Sequence, residues 1–140
     1  MSLILEKNEE LTTYLEKSNI KYDLIATTIS DLNNRGEVIN GANKTEFKSL
    51  HNSIDDNKKI CLKGYSYEEY CKKYGYYILM PKLFLQNTTF PEIKNKIEPG
   101  SIIHVSETTD LETLKLIINE IKYKDLSIVY ISELLDEKGE

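Results

Sequence analysis

The sequence contains no tryptophan, and Arg35 is its one arginine. Its 18 Lys and Arg residues are outnumbered by 23 Asp and Glu residues, which gives a formal net charge of −5. Nucleic-acid binding requires a basic surface that displaces counterions from phosphates, so this charge balance argues against that class of partner. No apolar run approaches the roughly 20 residues of a membrane-spanning helix, and the sequence does not open with a basic and hydrophobic leader. We therefore expect no nucleic-acid partner and no membrane span.

Cysteine is also scarce. Cys61 lies in a predicted strand and Cys71 on a predicted helix. Two cysteines at this separation match neither a disulfide framework nor a metal-ligand spacing. We predict two reduced and partly buried thiols, because free cysteine usually behaves as a small buried hydrophobe.

What the sequence does contain is a regular alternation of short apolar segments with helical patterns. Continuous apolar strands separated by amphipathic helices predict an α/β fold, with a mostly parallel sheet and alternating β/α elements. No internal repeat or linker interrupts the pattern, so we predict a single domain over residues 1–140. The predicted strands are Ser2–Leu5, Tyr22–Thr27, Glu37–Asn40, Lys59–Leu62, Tyr76–Met80, Ser101–Val105 and Ser127–Ile131.

Polar residues at the starts of the helical patterns support these boundaries. Asn8 precedes the first amphipathic pattern, and Ser66 with Glu69 has the spacing of a capping box. Thr109 and Glu112 repeat that spacing before the longest pattern, so we predict that Thr109 caps the helix there.

Two histidines are the main candidates for chemistry. His51 lies on the polar side of a predicted helix, whereas His104 ends a predicted strand, with Glu107 and Asp110 just beyond it. Ligands of parallel sheets bind beyond the carboxyl ends of the strands, so His104 is the best-placed polar residue in the chain. A catalytic zinc site usually takes three side-chain ligands, and His104, Glu107 and Asp110 form one candidate set. A lone histidine hydrogen-bonded at a strand end is the more common arrangement.

Six tyrosines cluster between positions 65 and 77. Flat rings beside hydrogen-bonding groups suit sugar recognition, and Tyr65 follows a predicted strand in a loop, so it is our candidate for contact with a ligand. Tyr67, Tyr70 and Tyr74 share helical spacing, and we predict that they pack against the sheet.

The C-terminal third of the chain carries a family pattern. Pro99–Ile103, reading PGSII, leads into His104, and a helical segment and the sequence IVYISELL at Ile128–Leu135 follow. This order resembles the last motif of the polysaccharide deacetylase (NodB-like) family. Tyr70–Ile78 resembles that family's helix before a strand, and Leu11–Leu24 resembles its first helix and second strand. The resemblance implies a distorted or incomplete (β/α) barrel.

The resemblance also implies an activity, which is the metal-dependent removal of acetyl groups from chitin-like sugars, peptidoglycan or related polysaccharides. In that family an Asp-Asp pair supplies a base and a metal ligand, and an HxxxH pair supplies further ligands. A histidine of the last motif protonates the leaving group. In this chain that role falls to His104, which stands two residues early in the motif, a shift of ~7 Å along a strand.

The other motif positions depart from the family pattern. Glu6 and Lys7 replace the Asp-Asp pair, and Ala42 and Glu46 stand where the histidine pair is expected. The family's Arg-Pro-Pro-Tyr-Gly motif reads CLKGY at 61–65, which keeps an aromatic ring and loses the arginine. Loss of the base and the ligands removes the means of activating water.

We therefore predict a polysaccharide deacetylase-like domain, a hydrolase homologue that is catalytically impaired, with acetylated polysaccharide or peptidoglycan as partner. The family resemblance implies a secreted or cell-envelope location, and zinc or cobalt is implied only if the domain is an active enzyme. One alternative is a metal-dependent esterase built on His104, Glu107 and Asp110. Another is a non-catalytic carbohydrate-binding or scaffolding domain that uses Tyr65. A receiver-like signalling domain ranks last, because the chain lacks an aspartate at the end of a central strand.

Overall fold

The structure, a computed structural model, describes residues 1–32, 36–39, 44–54, 59–63 and 68–138. The chain forms two compact units, one made of Met1–Tyr22 with Pro81–Glu140 and the other of Asp23–Met80. In chain order the elements are β1 (Ser2–Leu5), α1 (Glu9–Lys17), β2 (Asp23–Ala26), β3 (Gly36–Ile39), α2 (Lys44–Ser53), β4 (Ile60–Leu62), α3 (Glu68–Lys73), β5 (Tyr77–Leu79), β6 (Leu83–Leu85), α4 (Phe90–Ile93), β7 (Ile102–Val105), α5 (Leu111–Tyr123) and α6 (Ile131–Lys138).

The first unit is built around β7, which pairs in parallel with β1 on one side and with β6 on the other. All four residues of β1 are buried, as expected for a strand covered on both faces. Helix α5 contributes a completely buried apolar stripe, which consists of Leu114, Ile117, Ile118 and Ile121. Burial of each such side chain stabilises the fold by about 1.5–3 kcal/mol relative to exposure, so this stripe fixes α5 against the core.

The second unit contains β2, β3, β4 and β5, each paired in parallel with the next. Helix α2 buries Phe47 and Leu50 on one side, which is the i, i+3 spacing of an amphipathic helix. These residues belong to the core cluster of the unit, whose members are Ala26, Ile39, Phe47, Leu50, Cys61, Cys71 and Tyr76. The predicted α/β class, with parallel strands that alternate with helices in the pattern of a distorted or incomplete (β/α) barrel, is confirmed. The single domain over residues 1–140 stays a prediction.

Two of the strand assignments differ from the sequence-based prediction. Leu83–Leu85 forms β6, which the sequence does not predict, because three residues just after Pro81 and Lys82 give too short a pattern to recognise. Conversely, the predicted strand Ser127–Ile131 is wrong. Three hydrogen bonds connect it to Met1 and Ser2. The Met1 amine donates to the Ser127 carbonyl (2.9 Å), the Val129 N–H to the Met1 carbonyl (2.8 Å) and the Ser2 hydroxyl to the Val129 carbonyl (2.7 Å). These bonds hold the segment without a strand ladder, and Ile131 already begins α6.

The helix starts are partly as predicted. The Asn8 side chain accepts a hydrogen bond from the Leu11 N–H and caps α1, which confirms that prediction. The prediction that Thr109 caps α5 is wrong, because Asp110 is the capping residue and accepts from the Thr113 N–H at 2.8 Å. The Thr109 hydroxyl instead donates to the Leu85 carbonyl in the interior. Ser66 lies outside the described residues.

The prediction of two free thiols is also wrong, because Cys61 and Cys71 form a disulfide bond. Helix α3 runs back along β4, and this connection brings the two Cα atoms to 6.4 Å, within the range that a disulfide spans. Both residues are buried in the core of the second unit. The bond therefore ties a strand to the helix that covers it.

Within the part of the chain that the structure describes, no helix combines the length and the apolar character needed to cross a bilayer.

Candidate functional site

The end of β7 meets the end of β1 in a pair of ionisable side chains. The two strands run in register, with Ile4 beside His104 and Leu5 beside Val105. The Glu6 N–H continues this pairing by donating to the Val105 carbonyl at 3.1 Å. The register brings Glu6 next to His104, and a hydrogen bond of 3.1 Å joins Oε2 of Glu6 to Nε2 of His104. The site therefore arises directly from the parallel pairing of the first and last strands.

The second oxygen of the Glu6 carboxylate is also bound. Oε1 accepts a hydrogen bond of 2.7 Å from the Glu107 N–H in the loop after β7. The Glu107 carbonyl in turn accepts from Nδ2 of Asn8 at 2.9 Å, while Oδ1 of the same asparagine caps α1. Both oxygens of the Glu6 carboxylate are hydrogen-bonded, and Glu107 in the loop is bonded through both its N–H and its carbonyl. The carboxylate therefore has one well-defined orientation.

The other side of His104 is formed by Phe84, its neighbour on β6. The two ring centroids are 4.9 Å apart and the ring planes are perpendicular, which is a favourable edge-to-face contact. The Phe84 side chain remains 38% exposed, although the residues before and after it in the strand are buried. We call Glu6, Phe84 and His104 the strand-end site.

The second ring nitrogen of His104, Nδ1, has no hydrogen-bond partner among the described residues. The His104 side chain as a whole is 15% exposed, so the ring is partly accessible to solvent. A histidine held at one nitrogen by a carboxylate and open at the other can exchange hydrogen bonds or a proton with a ligand. The strand-end site thus places an exposed aromatic ring beside a partly exposed imidazole.

The candidate metal ligands Glu107 and Asp110 have different roles in the structure. Glu107 contributes its backbone N–H to the strand-end site, and the Asp110 side chain caps α5. Hydrogen bonds from the side chain and the backbone N–H of Thr113 lower the pKa of Asp110. The Asp110 N–H donates to the Asn87 side chain at 2.9 Å, which anchors the loop before α5 to the segment that follows β6. A catalytic role for His104 stays a prediction.

A three-ligand metal site does not fit these residues. Across residues 1–32, 36–39, 44–54, 59–63 and 68–138, no group of three or more His, Cys, Asp and Glu side chains is placed to hold a metal ion. At the strand-end site the carboxylate of Glu6 is already fully engaged by His104 and Glu107. The strand-end site therefore does not fit a metal ion. Ala42 and Tyr65 lie outside the described residues.

The second unit places His51 in a ring cluster. His51 stacks on Tyr74 with a centroid separation of 4.5 Å, and its Nδ1 is 2.8 Å from the Tyr76 hydroxyl. Burial raises the pKa of Tyr76 to about 12. Phe47 of α2 contacts Tyr70, Tyr74 and Tyr76. Tyr70 packs against the core cluster of the unit, whereas Tyr74 is 39% exposed, and the predicted packing of these two tyrosines against the sheet stays a prediction. Tyr67 lies outside the described residues.

Sequence reasoning missed the two partners of His104. In the sequence Glu6 stands where the family resemblance expects an aspartate pair. Its position directly after a buried strand is the signal that it lies at a strand end. Phe84 could not be found in this way, because its strand was not recognised. The exposure of an aromatic ring between two buried leucines appears only in the folded chain.

No family model matches the chain. Comparisons with curated proteins and with solved structures likewise find no match. The residues and the geometry of the strand-end site are therefore the structural indications of function.

Proposed function

We propose that the chain is a polysaccharide deacetylase-like domain that binds an acetylated sugar at the strand-end site without metal-dependent hydrolysis. The observation that carries this proposal is the exposed ring of Phe84, packed edge-to-face against His104. The histidine is 15% exposed and is bonded to Glu6 through Nε2. The proposed site lies at the carboxyl ends of parallel strands, because Glu6 follows β1 and because Phe84 and His104 are the penultimate residues of β6 and β7. Ligands of this fold class bind beyond these ends.

A sugar is the class of ligand that matches both groups at once. A pyranose has an apolar face of C–H groups, which an aromatic ring can cover, and a rim of hydroxyl or acetamido groups that require hydrogen-bond partners. In the strand-end site Phe84 supplies the ring and the imidazole of His104 supplies the hydrogen-bonding atom. The centroids of these two rings are 4.9 Å apart. The sequence resemblance to polysaccharide deacetylases points to the same ligand class.

The proposed loss of hydrolysis follows from the arrangement of the His, Cys, Asp and Glu side chains. A metal-activated water needs a set of protein ligands around an open coordination position, and the described residues contain no such group. Glu6, which stands where the family has its aspartate pair, is bound by His104 and by the Glu107 N–H instead. The domain is therefore proposed to retain binding and to lack the means of generating hydroxide.

The disulfide bond supports an extracytoplasmic setting for this function. Disulfides persist in oxidising environments such as the cell envelope and are rare in reducing ones. Cys61 and Cys71 are bonded to each other in the core of the second unit. Acetylated cell-envelope polysaccharide is accordingly the partner that we propose.

The test is an NMR titration of the chain with N-acetylglucosamine oligosaccharides, repeated with a chelator present. We expect the resonances of Glu6, Phe84 and His104 to shift equally with and without the chelator. An assay for released acetate, run with added zinc or cobalt, accompanies the titration and is expected to give no signal above the protein-free control. Acetate release that depends on the metal would contradict the proposal, and so would the absence of any binding.

A further inference from the structure

The hydrogen bond between Glu6 and His104 determines which imidazole nitrogen carries the hydrogen. An ionised carboxylate can only accept hydrogen bonds, and Oε1 of Glu6 already accepts from the Glu107 N–H. The bond of 3.1 Å from Oε2 therefore requires a hydrogen on Nε2 of His104. In neutral imidazole one nitrogen donates and the other accepts, so the hydrogen on Nε2 leaves Nδ1 as an acceptor.

We infer that Glu6 is a positioning residue, which holds His104 in the Nε2–H tautomer and thereby makes Nδ1 a hydrogen-bond acceptor for the ligand. The site then selects a neutral sugar that presents an O–H or N–H group beside its apolar face, such as an acetamido N–H. It rejects a sugar that presents a carboxylate at the same place. This inference rests on the proposed function, because it specifies the chemistry of the sugar bound there.

The orientation of Glu6 is well suited to this role. Rotation of its carboxylate away from His104 also breaks the 2.7 Å bond to the Glu107 N–H. That N–H cannot follow the rotation easily, because Asn8 holds the Glu107 carbonyl at 2.9 Å. Breaking two hydrogen bonds at once is costly, so the tautomer is set by a small network rather than by one flexible side chain.

The selection follows from what each kind of ligand meets at the site. A donor on the sugar satisfies the lone pair of Nδ1, whereas a carboxylate faces that lone pair without a hydrogen between them. The negative charge of Glu6, on the far side of the imidazole, adds repulsion against an anionic ligand. A site built to receive one hydrogen-bonding group discriminates strongly against a ligand that cannot supply it.

The first test is nitrogen-15 NMR of the histidine side chains at neutral pH. The chain has two histidines, so the His104→Asn variant assigns both sets of signals. We expect His104 to be protonated at Nε2 and unprotonated at Nδ1. We expect a mixture of His104 tautomers in Glu6→Gln, which lacks the negative charge, and in Glu6→Asp, whose shorter side chain does not reach His104. A wild-type His104 with its hydrogen on Nδ1, or on both nitrogens, overturns the inference.

The second test compares an N-acetylglucosamine oligosaccharide with an oligogalacturonate of equal length by calorimetry. We expect wild type to bind the uronate at least roughly ten-fold more weakly. We expect Glu6→Gln to lose about ten-fold in affinity for the N-acetyl sugar and most of the preference, while Glu98→Gln, a change at an exposed glutamate, matches wild type.

The two proposals fail in different ways. Binding of the N-acetyl sugar without a preference against the uronate, or without an effect of Glu6→Gln, overturns the inference about Glu6 and leaves the proposed function standing. Failure of both oligosaccharides to bind overturns the proposed function, and the inferred selectivity with it.

Discussion

Glu6 and His104 are 98 positions apart in the chain, and their side chains are 3.1 Å apart at the ends of β1 and β7. The parallel register of these two strands makes the contact, and the loop after β7 completes it through the Glu107 N–H. In the proposed function, Glu6 stands at the position of the aspartate pair that the sequence resemblance to deacetylases implies, and it orients a histidine instead of holding a metal. That difference underlies both the proposed loss of hydrolysis and the proposed mode of sugar binding.

The Glu6 network is expected to contribute to stability as well as to binding. Glu6→Ala leaves His104 Nε2 and the Glu107 N–H without their acceptor, and the first of these groups is partly buried. We expect the free energy of unfolding to fall by about 1–3 kcal/mol. Urea denaturation of Glu6→Ala and of Glu98→Ala measures this, with the second variant as the control at an exposed position. Equal midpoints for wild type and Glu6→Ala would show that the network is not stabilising.

The disulfide bond is expected to stabilise the second unit. It closes a short loop between residues separated by 10 positions, and loop closure of this length restricts the unfolded chain by roughly 2–3 kcal/mol. We expect a reducing agent to lower the denaturation midpoint of wild type. The Cys61→Ala/Cys71→Ala double variant should start from the lower midpoint and should not respond to the reducing agent. Detection of two reactive thiols in the denatured, unreduced wild type would contradict the bond.

Tyr76 is expected to make stability depend on alkaline pH. Burial raises its pKa from 10.0 to about 12, so the folded state holds the phenol proton more tightly than the unfolded state. This contribution is fully present below about pH 10 and is lost as the pH rises through about 12. Its size is on the order of 2 kcal/mol.

Denaturation at several alkaline pH values tests this with Tyr76→Phe, which cannot ionise, and with Tyr123→Phe as a control at a fully exposed ring. We expect Tyr76→Phe to lose less stability than wild type between about pH 10 and 12, and Tyr123→Phe to follow wild type. The same alkaline loss in all three proteins would contradict the assignment to Tyr76.

Asp110 is expected to make stability depend on pH in the acidic range. Hydrogen bonds from Thr113 lower its pKa below the ordinary 3.8, so the ionised cap stabilises the folded state above that value. The contribution disappears as the pH falls through the lowered pKa. Melting temperatures measured across this acidic range should fall less steeply for Asp110→Asn, which keeps a capping oxygen and cannot ionise. An identical slope for the variant and wild type would show that the ionised cap does not contribute.

The sequence was sufficient for the alternation of strands and helices because buried strands and amphipathic stripes such as Leu114–Ile121 leave strong periodic signals. It was insufficient for β6, where three residues give no period, and for the Cys61–Cys71 bond, which depends on how α3 folds back on β4. His104 could be placed at a strand end from local pattern alone. Its partners Glu6 and Phe84 come from distant segments, and only strand register brings them together.

The central claim is that a sugar binds against Phe84 and His104. The most direct measurement is calorimetry of an N-acetylglucosamine oligosaccharide with wild type, Phe84→Ala, His104→Ala and Tyr123→Ala. Tyr123 is the matched control, because its ring is 86% exposed on α5. The account predicts that wild type and Tyr123→Ala bind alike and that Phe84→Ala and His104→Ala each lose about ten-fold or more in affinity. Equal affinities in all four proteins, or no binding by wild type, would contradict it.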